Sequence, residues 1–111
     1  MSGRAPERCE LCGRPERLTR HHLIPRTLHR NRRVRRRWSR EALTRAILWV
    51  CRPCHDQIHQ LIPEKQLAEH YHTREALLAH AELRRFVEWI RSRPPGFRPR
   101  SRSWKQRLNR R

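Results

Sequence analysis

Four cysteines stand in two pairs of equal spacing, Cys9 and Cys12 in "CELC" and Cys51 and Cys54 in "CRPC". Two residues between cysteines let both sulfurs of a knuckle reach one tetrahedral metal ion, and two knuckles complete a closed four-sulfur zinc site. The 38 residues between the pairs are a tolerable loop, because closure entropy grows only logarithmically with length. A staple of this kind is needed. The chain has 111 residues, enough for one modest domain, and 35% of them are hydrophobic, the cysteines included. No apolar run approaches the roughly 20 residues of a membrane span, and "MSGRAPERCELCG" lacks the hydrophobic segment of a signal peptide. We therefore expect a cytoplasmic protein, in which paired cysteines serve as metal ligands more often than as disulfides. Four free thiols are the alternative, and their strict pairing argues against it.

The stretch "CRPCHDQIH" adds His55 and His59 directly after the second knuckle. A single site of two cysteines and two histidines within these nine positions fits poorly, since Cys54 and His55 are adjacent and diverge on a helix. With both knuckles given to one zinc ion, a pair of histidines at i, i+4 remains, pointing the same way. "HHLIPR" supplies a third ligand, because His21 and His22 close a presumed strand just before a turn. A hydrolytic metal site needs several protein ligands, an open position for water or substrate, and a base of near-neutral pKa, which histidine provides. Adjacent histidines can divide these tasks, one binding the ion and the other staying free to take a proton. An isolated His-His pair reads as exposed or structurally satisfied; beside CHxxxH and between two knuckles that reading loses ground.

The formal net charge is +18, from 28 lysines and arginines against 10 acidic residues, which implies a polyanionic partner. Arginine predominates, and its planar fork matches phosphate oxygens. Eight arginines crowd residues 26 to 40, namely Arg26, Arg30, Arg32, Arg33, Arg35, Arg36, Arg37 and Arg40, with no acidic residue among them. This run leaves the HHLIP turn directly and is expected to be a basic loop holding a phosphate backbone without reading sequence. Trp38 reads as a packing anchor, or as a wedge or stacking platform for a base.

Residues 1–8 read as a flexible lead, 9–62 as the core carrying both ligand sets, 63–92 as a helical extension and 93–111 as a disordered basic tail. Within the core, residues 17–25 hold a strand ending at Pro25. "SREALTRAILWVC" starts as a helix capped by Ser39 and ends as a strand entering the second knuckle. A short helix follows over 54–62, with Ile58, Leu61 and Ile62 on one side. Pro63 opens another helix, and Thr73 caps a last one, in which Leu83, Phe86, Val87 and Ile90 make a buried stripe. Trp49, Phe86 and Trp89 are assigned to the core, whereas His29, His70, His72 and His80 are expected to be exposed and without a role.

The order "CELC", "HHLIPR", "CRPCHDQIH" resembles the HNH endonucleases, over residues 9 to 62. The later segments "EKQLA" and "FVEWI" are similar to those of small bacterial members. The resemblance implies an α+β fold with a ββα-metal core, two strands and a helix gripping one catalytic divalent ion (Mn2+, Ni2+, Zn2+ or Mg2+), braced by a four-cysteine structural Zn2+. It implies DNA as the partner and hydrolysis of its phosphodiester bonds by nicking or double-strand cleavage with low sequence specificity. His22 would be the general base, His21, His55 and His59 the ligands of the catalytic ion, and Cys9, Cys12, Cys51 and Cys54 those of the structural zinc. Where the family places a middle asparagine stands Ala46, with Thr44 nearby; Asn31 is the asparagine available in the intervening segment. That departure keeps a second reading open, a catalytically inactive zinc-binding nucleic-acid module. A basic RNA- or ribosome-associated zinc protein is a third, which leaves four histidines idle.

Overall fold

The computed structural model describes residues 6–99. Two strands, β1 (Leu18–His22) and β2 (Ile47–Cys51), pair antiparallel with Leu18 opposite Cys51 and His22 opposite Ile47. Their long connection holds a 3-10 turn (Arg26–Leu28) and two short helices, α1 (Arg32–Arg37) and α2 (Arg40–Arg45). Then follow α3 (Arg52–Leu61), α4 (Glu64–His70), α5 (Arg74–Ala79) and α6 (Ala81–Arg91). The molecule is thus mixed helix and sheet, with a four-cysteine cluster at the junction of β2 and α3. Among the described residues no helix is long and apolar enough to cross a membrane.

Local chemistry accounts for most of these boundaries. Ser39 Oγ accepts from the Ala42 N–H and Thr73 Oγ1 from the Ala76 N–H, each at 3.0 Å, so both act as N-caps. Pro53 falls in the first turn of α3, where its missing N–H costs nothing. That helix begins at Arg52, two residues before the expected start, which puts Cys54 and His55 together in its first turn. It lies across both strands and also packs against α6.

Three sequence expectations change. Residues 26–38 are not a loop: Asn31 Oδ1 accepts from the Arg33 and Val34 N–H groups and starts a helix in the arginine run. The last helix is two helices, because at His80 the backbone turns extended (ψ 118°) and the His80 Nδ1 accepts from the Leu83 N–H to cap α6. The tail, expected to be free from residue 93, stays tied down through Arg98. The Pro94 carbonyl accepts from Arg14 Nη1 at 2.8 Å, Glu16 takes the Gly96 N–H and the Arg98 guanidinium, and Phe97 packs on the core. Residues 100–111 of that tail, and residues 1–5 of the lead, lie outside the described residues.

The main core runs through both halves of the chain. Leu48, Val50 and Ile58 share one buried cluster with Leu67, Leu77, Leu83, Phe86, Val87 and Ile90, so the boundary drawn at 62/63 does not divide two cores. Phe86 is buried as expected, whereas Trp49 and Trp89 are half-exposed. A smaller cluster of Ile24, Leu43 and Ala68 sits under the long connection, with Leu28, Val34 and Trp38 packed against it. Because α6 completes the core around α3, Phe86→Ala is expected to lower the stability of the whole protein by about 3–5 kcal/mol in one cooperative denaturant transition; a loss confined to the C-terminal helices would appear as a second transition.

Candidate metal centres

The first knuckle is built from a tight turn. The Cys9 N–H donates to the Arg14 carbonyl at 3.0 Å and the Gly13 N–H to the Cys9 carbonyl at 2.9 Å, with Gly13 at φ +81°, a region that favours glycine. The Leu11 and Cys12 N–H groups both point at Cys9 Sγ at 3.4 Å. Glu10 fixes this turn to β2: its N–H donates to the Trp49 carbonyl at 2.9 Å, and its carboxylate accepts from the Trp49 N–H at 2.8 Å. The second knuckle runs from the end of β2 into α3. Together they bring the sulfurs of Cys9, Cys12, Cys51 and Cys54 within 4.8 Å of one another, all buried. None is in a disulfide.

The chemistry of this set fits a metal ion. Hydrogen bonds from the Cys51, Cys54 and Cys9 sulfurs hold the Cys12 thiol well below its ordinary range, and the same bonds push Cys51 and Cys54 up. Four sulfurs so close together favour the thiolate form at one of them, and the thiolate is the form that binds metal. Arg14 answers that charge from a buried position, with Nη2 at 3.6 Å from Cys51 Sγ and Nη1 at 3.2 Å from Glu16. Arg91 donates to the Leu11 and Cys12 carbonyls and Arg74 to that of Glu10. The buried cluster can hold a structural metal ion such as zinc.

The second set gathers on the other side of the same helix turn. One ring nitrogen each of His21, His55 and His59 lies within 4.8 Å of the others. The ring centroids form a near-equilateral triangle, at 5.3 Å from His21 to His55, 5.3 Å from His21 to His59 and 5.1 Å from His55 to His59. His21 is 0% exposed, and both its ring nitrogens lack a hydrogen-bond partner among the described residues. Leaving a buried polar group unpaired is costly, and such a group calls for a ligand. Burial, reinforced by His55 and His59, pushes the His21 pKa down to about 3; burial and His59 push His55 to about 4. Both are then neutral imidazoles, the form that binds metal.

Thr19 orients His55. Its hydroxyl donates to the Val50 carbonyl at 2.9 Å, which leaves its oxygen to accept from His55 Nδ1–H at 2.8 Å. That fixes the tautomer and frees the His55 Nε2 lone pair, an arrangement common behind metal-binding histidines. Sequence reading missed Thr19, because a threonine in a strand carries no signal of its own. It likewise missed Arg14, one basic residue among 28.

His22 leaves the strand on the opposite side from His21, half-buried. Burial, then Arg26, His29 and Arg20, lower its pKa. Its ring lies 6.2 Å from that of His29, whose Nε2 donates to the Ile24 carbonyl at 2.7 Å. So His29 is not a free surface residue, and neither are His72, edge-on to Trp38 at 5.0 Å, nor His80; only His70 of these four is exposed. All eight arginines of the basic run are exposed. Ala46 offers only its backbone, accepting from the Leu23 N–H at 2.9 Å, and the Asn31 side-chain oxygen is occupied in capping α1.

These elements define a small α+β protein organised around a buried four-cysteine cluster. Over 88 residues, 78% of this chain and 76% of the relative, the sequence is 41% identical to "Uncharacterized protein YisB" of Bacillus subtilis (strain 168). The chain belongs to the family of that protein. No family model matches it, and no solved structure does.

Two outcomes are expected. Thr19→Val, which keeps the side-chain shape and removes the hydroxyl, is expected to weaken divalent-ion binding at the histidine set by about 10- to 100-fold while the ion at the cysteines is retained, as read by competitive metal titration. The metal-free histidine set should also make stability pH-dependent. In the unfolded chain His21 and His55 take up protons near the ordinary histidine value of 6.5, but in the folded one only at about 3 and about 4. The unfolded state then binds more protons in that window, so stability is full above about pH 6.5, falls as the pH drops, and levels off below about pH 3. Chemical denaturation of the variant His21→Leu, which removes one of the two depressed groups, should show a shallower fall.

Proposed function

We propose that this chain is a metal-dependent endonuclease of the HNH kind, hydrolysing DNA phosphodiester bonds with His22 as general base. The observation that carries the reading is the three-histidine cluster in which a fully buried His21 has, among the described residues, no partner for either ring nitrogen. The antiparallel pair β1–β2 with α3 across it supports it, since β1 supplies His21 and α3 supplies His55 and His59. So does a second, separate four-cysteine set, which leaves the histidines free for another ion.

In this reading His21, His55 and His59 would hold the catalytic ion, which would supply positive charge to offset the negative charge developing on the phosphate and leaving oxygen. Imidazole ligands suit Mn2+, Ni2+ or Zn2+ better than Mg2+. His22 takes a proton from water; the water oxygen forms the new bond to phosphorus as the bond to the 3′ oxygen breaks. That oxygen gains a proton from solvent, giving 5′-phosphate and 3′-hydroxyl ends. The exposed arginines of residues 26–40 neutralise the flanking phosphates. A structural zinc held by Cys9, Cys12, Cys51 and Cys54 would fix where α3 starts and thereby where His55 and His59 stand.

One feature favours the alternative of a nucleic-acid-binding module without catalysis, namely an alanine at position 46. Plasmid cleavage with added Mn2+, Ni2+ or Mg2+ decides between them. Wild type is expected to nick or cut, and His22→Ala to lose about 10²- to 10⁴-fold in rate with DNA binding retained. Because burial and nearby cations lower the His22 pKa, the base stays neutral into mild acid, and the acid limb of the pH–rate profile should fall below 6.5. A chain with both ion sites filled that cleaves nothing under any of these ions is the binding module.

A further inference from the structure

Beside the arginine ridge of α1 lies a cleft of about 720 Å³, within the usual size of a small-molecule site. Its floor is apolar, made by Leu28, Val34, Trp38 and Ala68. Its rim is mainly cationic, with Arg32, Arg33, Arg36 and Arg37 on the α1 side and Lys65 on α4, beside one carboxylate, Glu69. Leu28, Val34 and Trp38 are only half-buried although they pack on the Ile24–Leu43–Ala68 cluster. An apolar, partly aromatic floor ringed by five exposed cations against one carboxylate suits a ligand that is both flat and anionic. A fully paired duplex presents phosphates to such a rim but keeps its base faces stacked away from the floor.

We propose that this cleft binds an unpaired nucleotide, its base on the Trp38 floor and its phosphates on the arginine rim. The proposal rests on the nucleic-acid part of the reading above and not on cleavage. Several features favour this occupant over an acidic peptide. Arginine forks match phosphate oxygens. A base has a π-face for the indole, and base–aromatic stacking tolerates any sequence. The Arg37 guanidinium already lies 5.5 Å from the Trp38 ring centre, so a cation and a ring are paired where base and phosphate would meet them. His72 holds the indole edge-on from outside α1, at 5.0 Å between ring centres. The favoured substrate is then DNA with a single-stranded, gapped or frayed stretch.

Fluorescence anisotropy at fixed salt tests this, comparing oligo-dT with a blunt duplex of the same length. Wild type is expected to bind oligo-dT on the order of tenfold more tightly than the duplex, the size of one base–aromatic stack. Trp38→Leu should bring that ratio close to one while duplex affinity holds, because every arginine remains. Val34→Gln, an uncharged change at a half-buried position of the cleft floor, should reduce the ratio in the same direction and carries the test if Trp38→Leu does not fold. Equal binding of paired and unpaired DNA by wild type would overturn the proposal. So would an equal loss for both ligands in the variants, or tighter binding of polyglutamate than of oligo-dT. Wild type that shows the preference yet cleaves no plasmid leaves this inference standing and removes the nuclease reading.

Discussion

The first turn of α3 carries Cys54 and His55 side by side, and the molecule is organised by that adjacency. Successive residues on a helix point about 100° apart, so neighbours cannot serve one tetrahedral ion but can serve two sets on different sides. Cys54 turns to the knuckles, and His55 turns to Thr19 on β1. The four-sulfur cluster joins residues 9–12 to residues 51–54, and arginines from α5 and α6 hold the carbonyls of the first knuckle. A shift of α3 by one residue would undo the sulfur cluster, the Thr19–His55 bond and the histidine triangle together. In a chain with so small an apolar fraction, this coupling does what a larger core does elsewhere.

Charge is sorted by burial. Arg14 is buried and tied to Glu16, the Pro94 carbonyl and a cysteine sulfur, so its cation is spent within the fold. The eight arginines of the connection are exposed, and their charge is available to a partner. His21 and His55 stay neutral chiefly because burial penalises their charged forms, and the neighbouring imidazoles add to this. An anion drawn to the surface meets nitrogens that keep their lone pairs at neutral pH.

The two cysteine pairs and the His55–His59 pair were legible in the sequence because their spacings are local. CxxC and i, i+4 place ligands by backbone geometry alone, and repetition of the first motif shows that the pairs belong together. Both strands and the caps at Ser39 and Thr73 could be read for the same reason. The helix at Arg32–Arg37 could not, since a run of arginines has no apolar period, although arginine is a good helix former and Asn31 a good cap. The break at His80 was hidden by an apolar stripe that continues across it, and by a cap from an imidazole nitrogen instead of a hydroxyl or carboxylate. The anchored segment 94–98 has the composition of a tail; what holds it is Arg14 and Glu16, some 80 residues away, and no local pattern encodes so distant a contact.

Alanine at position 46 is the departure that bears most on the nuclease reading, and the turn after His22 shows how that position is served without an asparagine side chain. The Leu23 N–H donates to the Ala46 carbonyl, and the Ile24 carbonyl accepts from His29 Nε2. Both bonds fall on the two residues that follow His22, so the turn is fixed on both sides. The first uses a backbone carbonyl, which any residue at 46 provides. The second comes from the connection itself, since the 3-10 turn Arg26–Leu28 brings the chain back to place His29. Asn31, the remaining asparagine of the segment, starts α1 and so shapes the arginine ridge instead. On the proposed reading, a base at position 22 needs a rigid turn more than it needs one residue type, and backbone and imidazole hydrogen bonds meet that need here.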